Sequence, residues 1–282
     1  MTETNTGTDR SAGVRYQQML DKDSHPVRDI RRVESPMKSG PSMGAKRLHS
    51  GLSLITRHSL VLALCIAIAG AASSAPATDE ITRLPEPEVV GTMPVEKALS
   101  GRRSTRRFDP SPLDLSVVAQ LLWSAQGITN DRGFRTAPSA GGLFPLEIYL
   151  VTGQVSGLES GAYAYDPVKH HLMRVSSGDI RADLAEAALG QQWIAAAPAV
   201  LIIAARFDRT TRKYGSRGAR YVYIEAGHAS QNVYLQSESH NLGTCVVGAF
   251  DDVSLRALLG FPQDIDPIAI MPVGKRLRDP TD

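Results

Sequence analysis

Residues 199–240 read AVLIIAARFDRTTRKYGSRGARYVYIEAGHASQNVYLQSESH, and the fold class follows mainly from them. The first seven residues, 199–205, are apolar without interruption, which is typical of a strand buried on both faces. From about residue 219 to residue 240, apolar side chains such as Tyr221, Ile224 and Leu235 recur along a predicted helix. Together, the apolar run and the helical pattern predict a buried sheet that is covered by a long helix.

The flanking sequence supplies shorter elements on both sides of this stretch. Further strands are predicted at residues 145–152, 244–247 and 268–273, with a hairpin over 161–175 that turns at Asp166-Pro167. Further helices are predicted at residues 113–125, 180–189 and 253–259. Strands and helices mix without strict βαβ alternation, which favours one α+β domain over a doubly wound sheet.

Composition excludes several classes of protein. The chain has 282 residues, 31 Lys+Arg, 29 Asp+Glu and a formal net charge of +2. Residues 1–77 hold ten of the basic and six of the acidic residues, which leaves 21 basic and 23 acidic residues in the remainder. The remainder therefore has no basic excess with which to bind nucleic acid. Two cysteines provide neither a disulfide framework nor a Cys-based zinc site.

The N-terminal region has the pattern of an export signal. Residues 60–72, LVLALCIAIAGAA, form an apolar run that follows basic residues and precedes an Ala-x-Ala site at 75–77. We expect 1–42 to be a disordered or mis-started extension, 43–77 a signal peptide or membrane anchor, and 78–282 the functional domain. The domain is then periplasmic or membrane-anchored; if the run is a buried core helix instead, it is cytoplasmic.

Two patches suggest a binding site for an anionic or flat ligand. Residues 101–108, GRRSTRRF, place four arginines around one hydroxyl, which suits either a phosphate clamp or a solvated basic turn. Residues 135–145, RTAPSAGGLFP, combine a stiffening proline with glycines that allow close backbone approach. The second patch is neither a P-loop nor a nucleophile elbow, and a plain turn stays an alternative.

The remaining patches carry proton-transfer groups and strand ends. Lys213 and Tyr214 are candidate general acid/base groups just before the long helix. Glu225 and His228 have metal-ligand spacing but no accompanying ligand set, so His228 is predicted to be a buried packing or ligand-lining residue. Residues 243–250 and 271–276 are apolar strands that run into glycine, where ligands often bind. A hydrolase built on Ser139 and His228 stays open.

In this order the patches resemble the FMN-dependent nitroreductase superfamily, and more narrowly its SagB/ThcOx-type (azoline) dehydrogenase branch. The resemblance covers about residues 85–276. It rests on RRSxR at 102–106, APSAGGLFPLE at 137–147, KYGxRGxRYxxxEAGHxxQN at 213–232, and GA at 248–249 followed by VGK at 273–275.

The resemblance implies an α+β nitroreductase-like fold, with a mixed sheet flanked by helices in a domain-swapped homodimer that holds two FMN sites. It implies that Lys213 and Tyr214 act as the base. The residues that it places on FMN are Arg102, Arg103, Ser104, Arg106, Pro138, Ser139, Gly141, Gly248, Ala249 and Lys275.

Hydride would pass between flavin N5 and a small organic substrate, with NAD(P)H as a possible electron donor. An exported domain would lie outside the NAD(P)H pool. Either the leader prediction is therefore wrong, or the physiological electron donor and acceptor are different. The alternative is a catalytically inactive flavin-binding module of the same fold. No nucleic-acid partner is expected. Contact with a membrane is expected only if the leader is uncleaved.

Overall fold

The computed structural model describes residues 81–277. The predictions for residues 1–42 and for the leader at 43–77 lie outside the described residues. Within the described part, no helix combines the length and apolar character that crossing a membrane requires.

The described strands form a seven-stranded sheet in the order β1-β6-β5-β3-β7-β9-β8, together with a two-stranded ribbon of β2 and β4. Their bounds are β1 Ile81–Arg83, β2 Leu113–Asp114, β3 Leu146–Thr152, β4 Val155–Ser156, β5 Gly161–Asp166, β6 His171–Ser177, β7 Ala199–Ala205, β8 Leu242–Thr244 and β9 Asp266–Lys275. Every pairing in the large sheet is antiparallel. Among these strands, parallel pairing enters only through β2 and β4, so the large sheet is antiparallel where a mixed one was predicted.

Strand β7 lies in the interior of this sheet, between β3 and β9, and all seven of its residues are buried. Successive side chains of a strand point to opposite faces, so its residues divide between two cores. Leu201 and Ile203 belong to one hydrophobic cluster, and Val200 and Ile202 belong to the other. An uninterrupted apolar run is therefore what this position requires.

Helices cover both faces of the sheet. Their bounds are α1 Val95–Gly101, α2 Leu115–Gln126, α3 Arg181–Ala187, α4 Asp208–Tyr214, α5 Arg217–Ser239 and α6 Asp252–Leu258. Helices α2 and α5 contribute Leu122 and Val233 to the core of one face. Helices α3 and α6 contribute Leu184 and Leu255 to the other. The predicted α+β class, with helices flanking a sheet, is confirmed.

Most predicted elements are present with small shifts in their bounds, one strand lies elsewhere, and β1, β2, β4, α1 and α4 are additional to the prediction. The strand predicted at 244–247 lies earlier, at Leu242–Thr244, and Val247 forms only an isolated bridge with Ile270. Helix α4 was not predicted, because its sequence DRTTRKY has no apolar periodicity. The ion pair between Arg212 and Asp208, one turn apart, fits this exposed helix.

Candidate functional site

The arginine patch folds against the C-terminal strand to line a basic cavity. After α1 ends, Thr105 N–H donates to the carbonyl of Thr244 in β8 (2.9 Å), and Asp109 N–H donates to the carbonyl of Lys275 in β9 (2.9 Å). These backbone bonds bring two distant parts of the sequence together. The cavity that results is lined by Arg103, Ser104, Thr105, Arg106, Arg107, Glu238, His240, Asn241, Lys275, Arg276 and Leu277.

Tyr234 of α5 holds this segment in place. The Arg102 guanidinium lies over the Tyr234 ring, 5.1 Å from its centroid. The Tyr234 hydroxyl lies 3.2 Å from Ser104 Oγ and accepts a 2.8 Å hydrogen bond from Val246 N–H. Arg102 therefore supports the cavity from its stacked position, and Tyr234 is a supporting residue that the sequence patterns did not single out.

The charges of this cavity favour an anion. Arg276 forms an ion pair with Glu238. Burial, and then repulsion from Arg103, lower the pKa of Arg276. Arg103, Arg106 and Lys275 form no ion pair with a carboxylate in the part of the chain that the structure describes. Arg103 Nη1 instead donates to the Ser100 carbonyl (3.1 Å), and the Arg106 guanidinium lies over the Trp193 ring, 5.6 Å from its centroid. Cationic side chains that line one cavity with the Ser104 hydroxyl are the kind of donor set that a phosphate group requires.

The glycine patch forms a tight turn whose central positions favour glycine. A short 3₁₀ segment spans Ala140–Gly142, and Gly141 and Gly142 have φ values of +66° and +65°. Phe144 also has a positive φ, +46°. Ser139 Oγ accepts a 2.9 Å hydrogen bond from Phe144 N–H and thereby closes the turn. The turn is held in a left-handed conformation that needs this kind of support.

Lys213 and Tyr214 lie against this turn. A β-carbon at Gly141 would be 2.7 Å from Tyr214 Oη and 2.9 Å from Lys213 Nζ. Lys213 Nζ is 5.4 Å from the centroid of the Tyr214 ring, and that ring meets Tyr221 edge-on at 5.0 Å. The absent side chain of Gly141 therefore makes room for both head groups, which places the predicted acid/base pair beside the predicted ligand-binding turn.

The connection from α4 to α5 explains how the pair reaches the turn. Gly215, with φ +58°, ends α4 immediately after Tyr214. A β-carbon at Gly218 would lie 2.7 Å from Thr211 Cα, so the two helices approach each other closely at this glycine. Gly215 and Gly218 therefore determine the position of the C-terminal end of α4, which carries Lys213 and Tyr214.

Helix α5 backs the turn with one row of side chains. Tyr221 packs on Tyr214, Glu225 is buried near enough to the Ser139 hydroxyl for that hydroxyl to lower its pKa, and Asn232 Nδ2 donates to the Thr136 carbonyl (3.2 Å). These positions recur at spacings of four and seven residues, so they share one face of the helix. The helix therefore connects the acid/base pair to the turn along its length.

Glu225 is the buried titratable group of this row. It is only 2% exposed, and burial raises its pKa to about 7, against the opposing effects of Ser139, Arg135 and Gln126. Its Oε1 has no hydrogen-bond partner. Gln126 is close enough to lower the pKa of Glu225, but its Nε2 donor does not reach hydrogen-bond geometry and is unpaired as well.

Several predicted site residues lie elsewhere. Gly248 and Ala249 are exposed and line neither cluster, and the Ala249 carbonyl accepts from Gln191 Nε2 (3.1 Å). Pro138 lies in the glycine turn segment, so the proposed FMN residues divide between two separate clusters.

His228 is exposed, so the prediction that it is buried was wrong. Among the described residues, no group of three metal-binding side chains occurs.

An antiparallel sheet between two helical layers, with an arginine clamp and a glycine turn, defines a nitroreductase-like α+β protein. The chain belongs to the nitroreductase family, whose family model matches residues 99–275. This confirms the family resemblance that the motifs carry.

Three similar proteins bear on this assignment. A nitroreductase-like protein of Methanocaldococcus jannaschii is 48% identical over 183 residues, 65% of this chain and 91% of that protein. A nitroreductase-like structure from Ralstonia eutropha is 30% identical, with a TM-score of 0.64, over 73% of this chain and 93% of that one. Trifolitoxin operon protein TfxC of Rhizobium leguminosarum is 23% identical, over 62% of this chain and 54% of that protein.

Proposed function

We propose that the protein is an FMN-dependent oxidoreductase that exchanges hydride between flavin N5 and a small organic substrate. Members of the nitroreductase family typically bind flavin, and membership of this family supports oxidoreductase activity for this chain. The observation that carries the proposal is the convergence of Lys213 and Tyr214 on Gly141, which joins a proton-transfer pair to a side-chain-free surface.

The basic cavity suits the phosphate of FMN. A phosphate monoester carries close to two negative charges at neutral pH, and its oxygens accept several hydrogen bonds at once. Arg103, Arg106 and Lys275 supply the charge, and Ser104 supplies a hydroxyl. We propose that these residues hold the phosphate, while Arg102 stays stacked on Tyr234.

The glycine turn suits the ring of a flavin. Pro138, Ser139 and Gly141 present backbone and small groups to a flat ligand, and Gly248 and Ala249 offer exposed backbone elsewhere on the chain. None of the residues 138–142 lines the basic cavity. We propose that a homodimer completes each site, with the phosphate clamp and the turn contributed by different chains. Tyr223 and Ile224, exposed on α5 to 59% and 48%, offer an apolar surface for such an interface.

The acid/base pair suits the removal of a proton from the substrate. When bound, FMN supplies the hydride chemistry, accepting the hydride at its ring. Lys213 Nζ or Tyr214 Oη takes the proton that leaves the neighbouring substrate atom, so that the substrate loses two electrons and two hydrogens in all. The two head groups face the same small space, which permits one to hold the proton and the other to orient the substrate.

An azoline heterocycle is the substrate that this arrangement supports best. Oxidation of such a ring to an azole needs removal of a hydride and a proton from adjacent atoms, which matches the flavin and base together. The similarity to a trifolitoxin operon protein is compatible with this SagB-type branch. NAD(P)H stays a candidate electron donor for reductive turnover of the same site.

The experiment is a visible absorption spectrum of residues 78–282 after incubation with FMN, before and after anaerobic addition of NADPH or of an azoline peptide. Flavin bands that persist through desalting and then bleach support the proposal. Lys213→Ala and Tyr214→Phe should keep the bands and lose azoline-dependent bleaching, whereas Arg212→Ala, an exposed neighbour on α4, should behave as wild type. Absence of bound flavin would overturn the proposal, and bound flavin that no donor or substrate bleaches would instead indicate the binding module.

A further inference from the structure

Helix α4 is attached to the glycine turn by one of its own side chains. Arg209 Nη1 donates to the Phe144 carbonyl (2.9 Å), and Arg209 Nη2 donates to Glu147 Oε1 (2.6 Å). The two acceptors lie three residues apart, at the end of the turn and near the start of β3. The same helix carries Lys213 and Tyr214 at its C-terminal end. Arg209 therefore joins the element that carries the acid/base pair to the segment that leaves the turn.

Glu147 holds the Arg209 guanidinium in this position. It is the last residue of the APSAGGLFPLE motif, and neither the phosphate clamp nor the acid/base pair uses it. The Glu147 side chain is half-buried, and its Oε1 also accepts from Arg206 Nε (3.1 Å), which pairs in turn with Asp264. Strand β3, on which Glu147 stands, pairs with β7 along its full length. A rigid part of the sheet therefore supports the carboxylate that receives Arg209.

Phe144 is the residue of the turn that depends on contacts from outside. Its φ of +46° lies in a region that residues with a β-carbon rarely adopt. Its N–H donates to Ser139 Oγ (2.9 Å), and its carbonyl accepts from Arg209. Its ring lies under the Arg135 guanidinium, which is 4.6 Å from the ring centroid. Because a strained residue keeps its conformation only while such contacts persist, loss of Arg209 should loosen the turn.

Little apolar packing fixes the orientation of helix α4. Its sequence has no apolar periodicity, and among its seven described residues only Thr210 is buried. Thr211 and Arg212 hydrogen-bond to residues in or next to the same helix. The close approach at Gly218 sets the distance of α4 from α5, and the two hydrogen bonds of Arg209 set its place against the turn.

We propose that Arg209 is a positioning residue, which Glu147 holds in place and which fixes α4 to the glycine turn at Phe144. In this way it sets where the acid/base pair stands relative to Gly141. The guanidinium suits this role because its planar fork donates from Nη1 and Nη2 at once in fixed directions, a fork that the compact ammonium of lysine lacks. The catalytic meaning rests on the proposed function, whereas the attachment of α4 to the turn needs no bound cofactor.

The first test is amide hydrogen exchange in the flavin-free chain at a single pH. Two amides of the turn report on it, since Gly142 N–H donates to the Ser139 carbonyl (3.1 Å) and Phe144 N–H donates to Ser139 Oγ. Arg209→Ala should accelerate their exchange about tenfold, because a charge-assisted hydrogen bond to the turn is lost. Arg209→Lys keeps the charge and the aliphatic stem but not the fork, and should lie closer to Arg209→Ala than to the wild type. Arg212→Ala, on the same helix, is the control and should match the wild type.

A double-mutant cycle tests the part assigned to Glu147. Glu147→Gln keeps an oxygen that can accept but removes the charge, so it should accelerate exchange of the same two amides about threefold. It should add little once Arg209 is replaced by alanine, since the two residues act through one contact. Equal acceleration in both backgrounds would overturn this part, because Glu147 would then act by another route, such as its ion pair with Arg206.

The same variants, loaded with flavin, give the catalytic readout. Arg209→Ala should lower kcat with an azoline peptide about tenfold and leave KM and FMN affinity nearly unchanged, because the acid/base pair shifts while the basic cavity is untouched. Exchange at the wild-type rate in both Arg209 variants, or a loss of FMN affinity as large as the loss of kcat, would overturn the inference. Because exchange is measured without flavin, a failure of the proposed redox function would be seen separately, as absence of bound flavin in the wild type.

Discussion

The basic cavity and the glycine turn are built on opposite principles. The cavity consists of long cationic side chains around Ser104, on a segment held in place by backbone pairing and by Tyr234. The turn consists of glycines in left-handed conformations, with the head groups of Lys213 and Tyr214 packed against it. An anion clamp made of flexible charges tolerates small displacements, whereas a packed turn does not. Substitutions should therefore have graded effects in the cavity and severe effects in the turn.

The largest effect is expected on the pH dependence of stability, at Glu225. Its folded-state pKa is raised, so the proton is bound more tightly in the folded chain, and the unfolding free energy falls as the pH rises from about 4.5 to about 7. The difference between these two pKa values corresponds to roughly 3 kcal/mol at most. Glu225→Gln should remove this fall, which denaturant unfolding of both proteins at pH 5 and pH 7.5 measures. Equal pH dependence in the two proteins would mean that the carboxyl group does not titrate in this range.

The next effect is expected at Gly141 and compares two glycines of the same turn. Gly141→Ala and Gly142→Ala both place a β-carbon at a positive φ, but only the first meets Tyr214 Oη and Lys213 Nζ. Displacing these head groups by about 1 Å should lower kcat/KM roughly a hundredfold in Gly141→Ala, beyond any loss in Gly142→Ala. The measurement is steady-state kinetics of both variants, with melting temperatures as a check on folding. Equal losses would show that backbone strain, and not the contact, controls activity.

A smaller effect is expected in the basic cavity. Lys275→Ala should weaken FMN binding about tenfold, because one charge-assisted contact to the phosphate is lost. Riboflavin, which has no phosphate, should bind the variant and the wild type equally. Titration of each flavin, followed by quenching of its fluorescence, compares the two. A matching loss of riboflavin affinity would place Lys275 at the ring and not at the phosphate.

The smallest effect is expected at Tyr234. Tyr234→Phe keeps the ring under Arg102 but removes the hydroxyl that Val246 N–H and Ser104 Oγ contact. Loss of these hydrogen bonds should lower the unfolding free energy by about 1 kcal/mol and weaken FMN binding only slightly. Chemical denaturation and the same titration check both numbers. A large loss of FMN affinity would mean that the cavity is as sensitive to displacement as the turn.

The sequence predicts best those elements whose burial requires a distinctive pattern of apolar residues. The apolar run at Ala199–Ala205 and the periodic stretch at Arg217–Ser239 appear as expected, because a central strand and a core-facing helix each need one specific pattern. Helix α4 has no such pattern, and it depends on the close approach to Gly218. Strand β8 is short and lies at the sheet edge, so its register is set by pairing with β9 and not by its own residues.

The candidate site follows the same division. The charge of the arginine patch is visible in the sequence, as is the flexibility of the glycine patch. The approach of Lys213 and Tyr214 to Gly141 joins distant segments, so spacing alone gives no sign of it. The family resemblance implied only that both segments serve one flavin site. Glu225 was considered with His228 as a metal pair three residues apart. Its spacing of four residues from Tyr221 was the better signal, because it places Glu225 on the face that backs the turn.

The central claim is that both regions serve one flavin, the cavity through its phosphate and the turn through its ring. Titration of the wild-type domain, residues 78–282, with FMN and with riboflavin tests this claim directly. We expect both flavins to bind, with FMN at least about tenfold tighter, since only FMN engages the cations of the cavity. Equal affinities, or no binding of either flavin, would contradict the account.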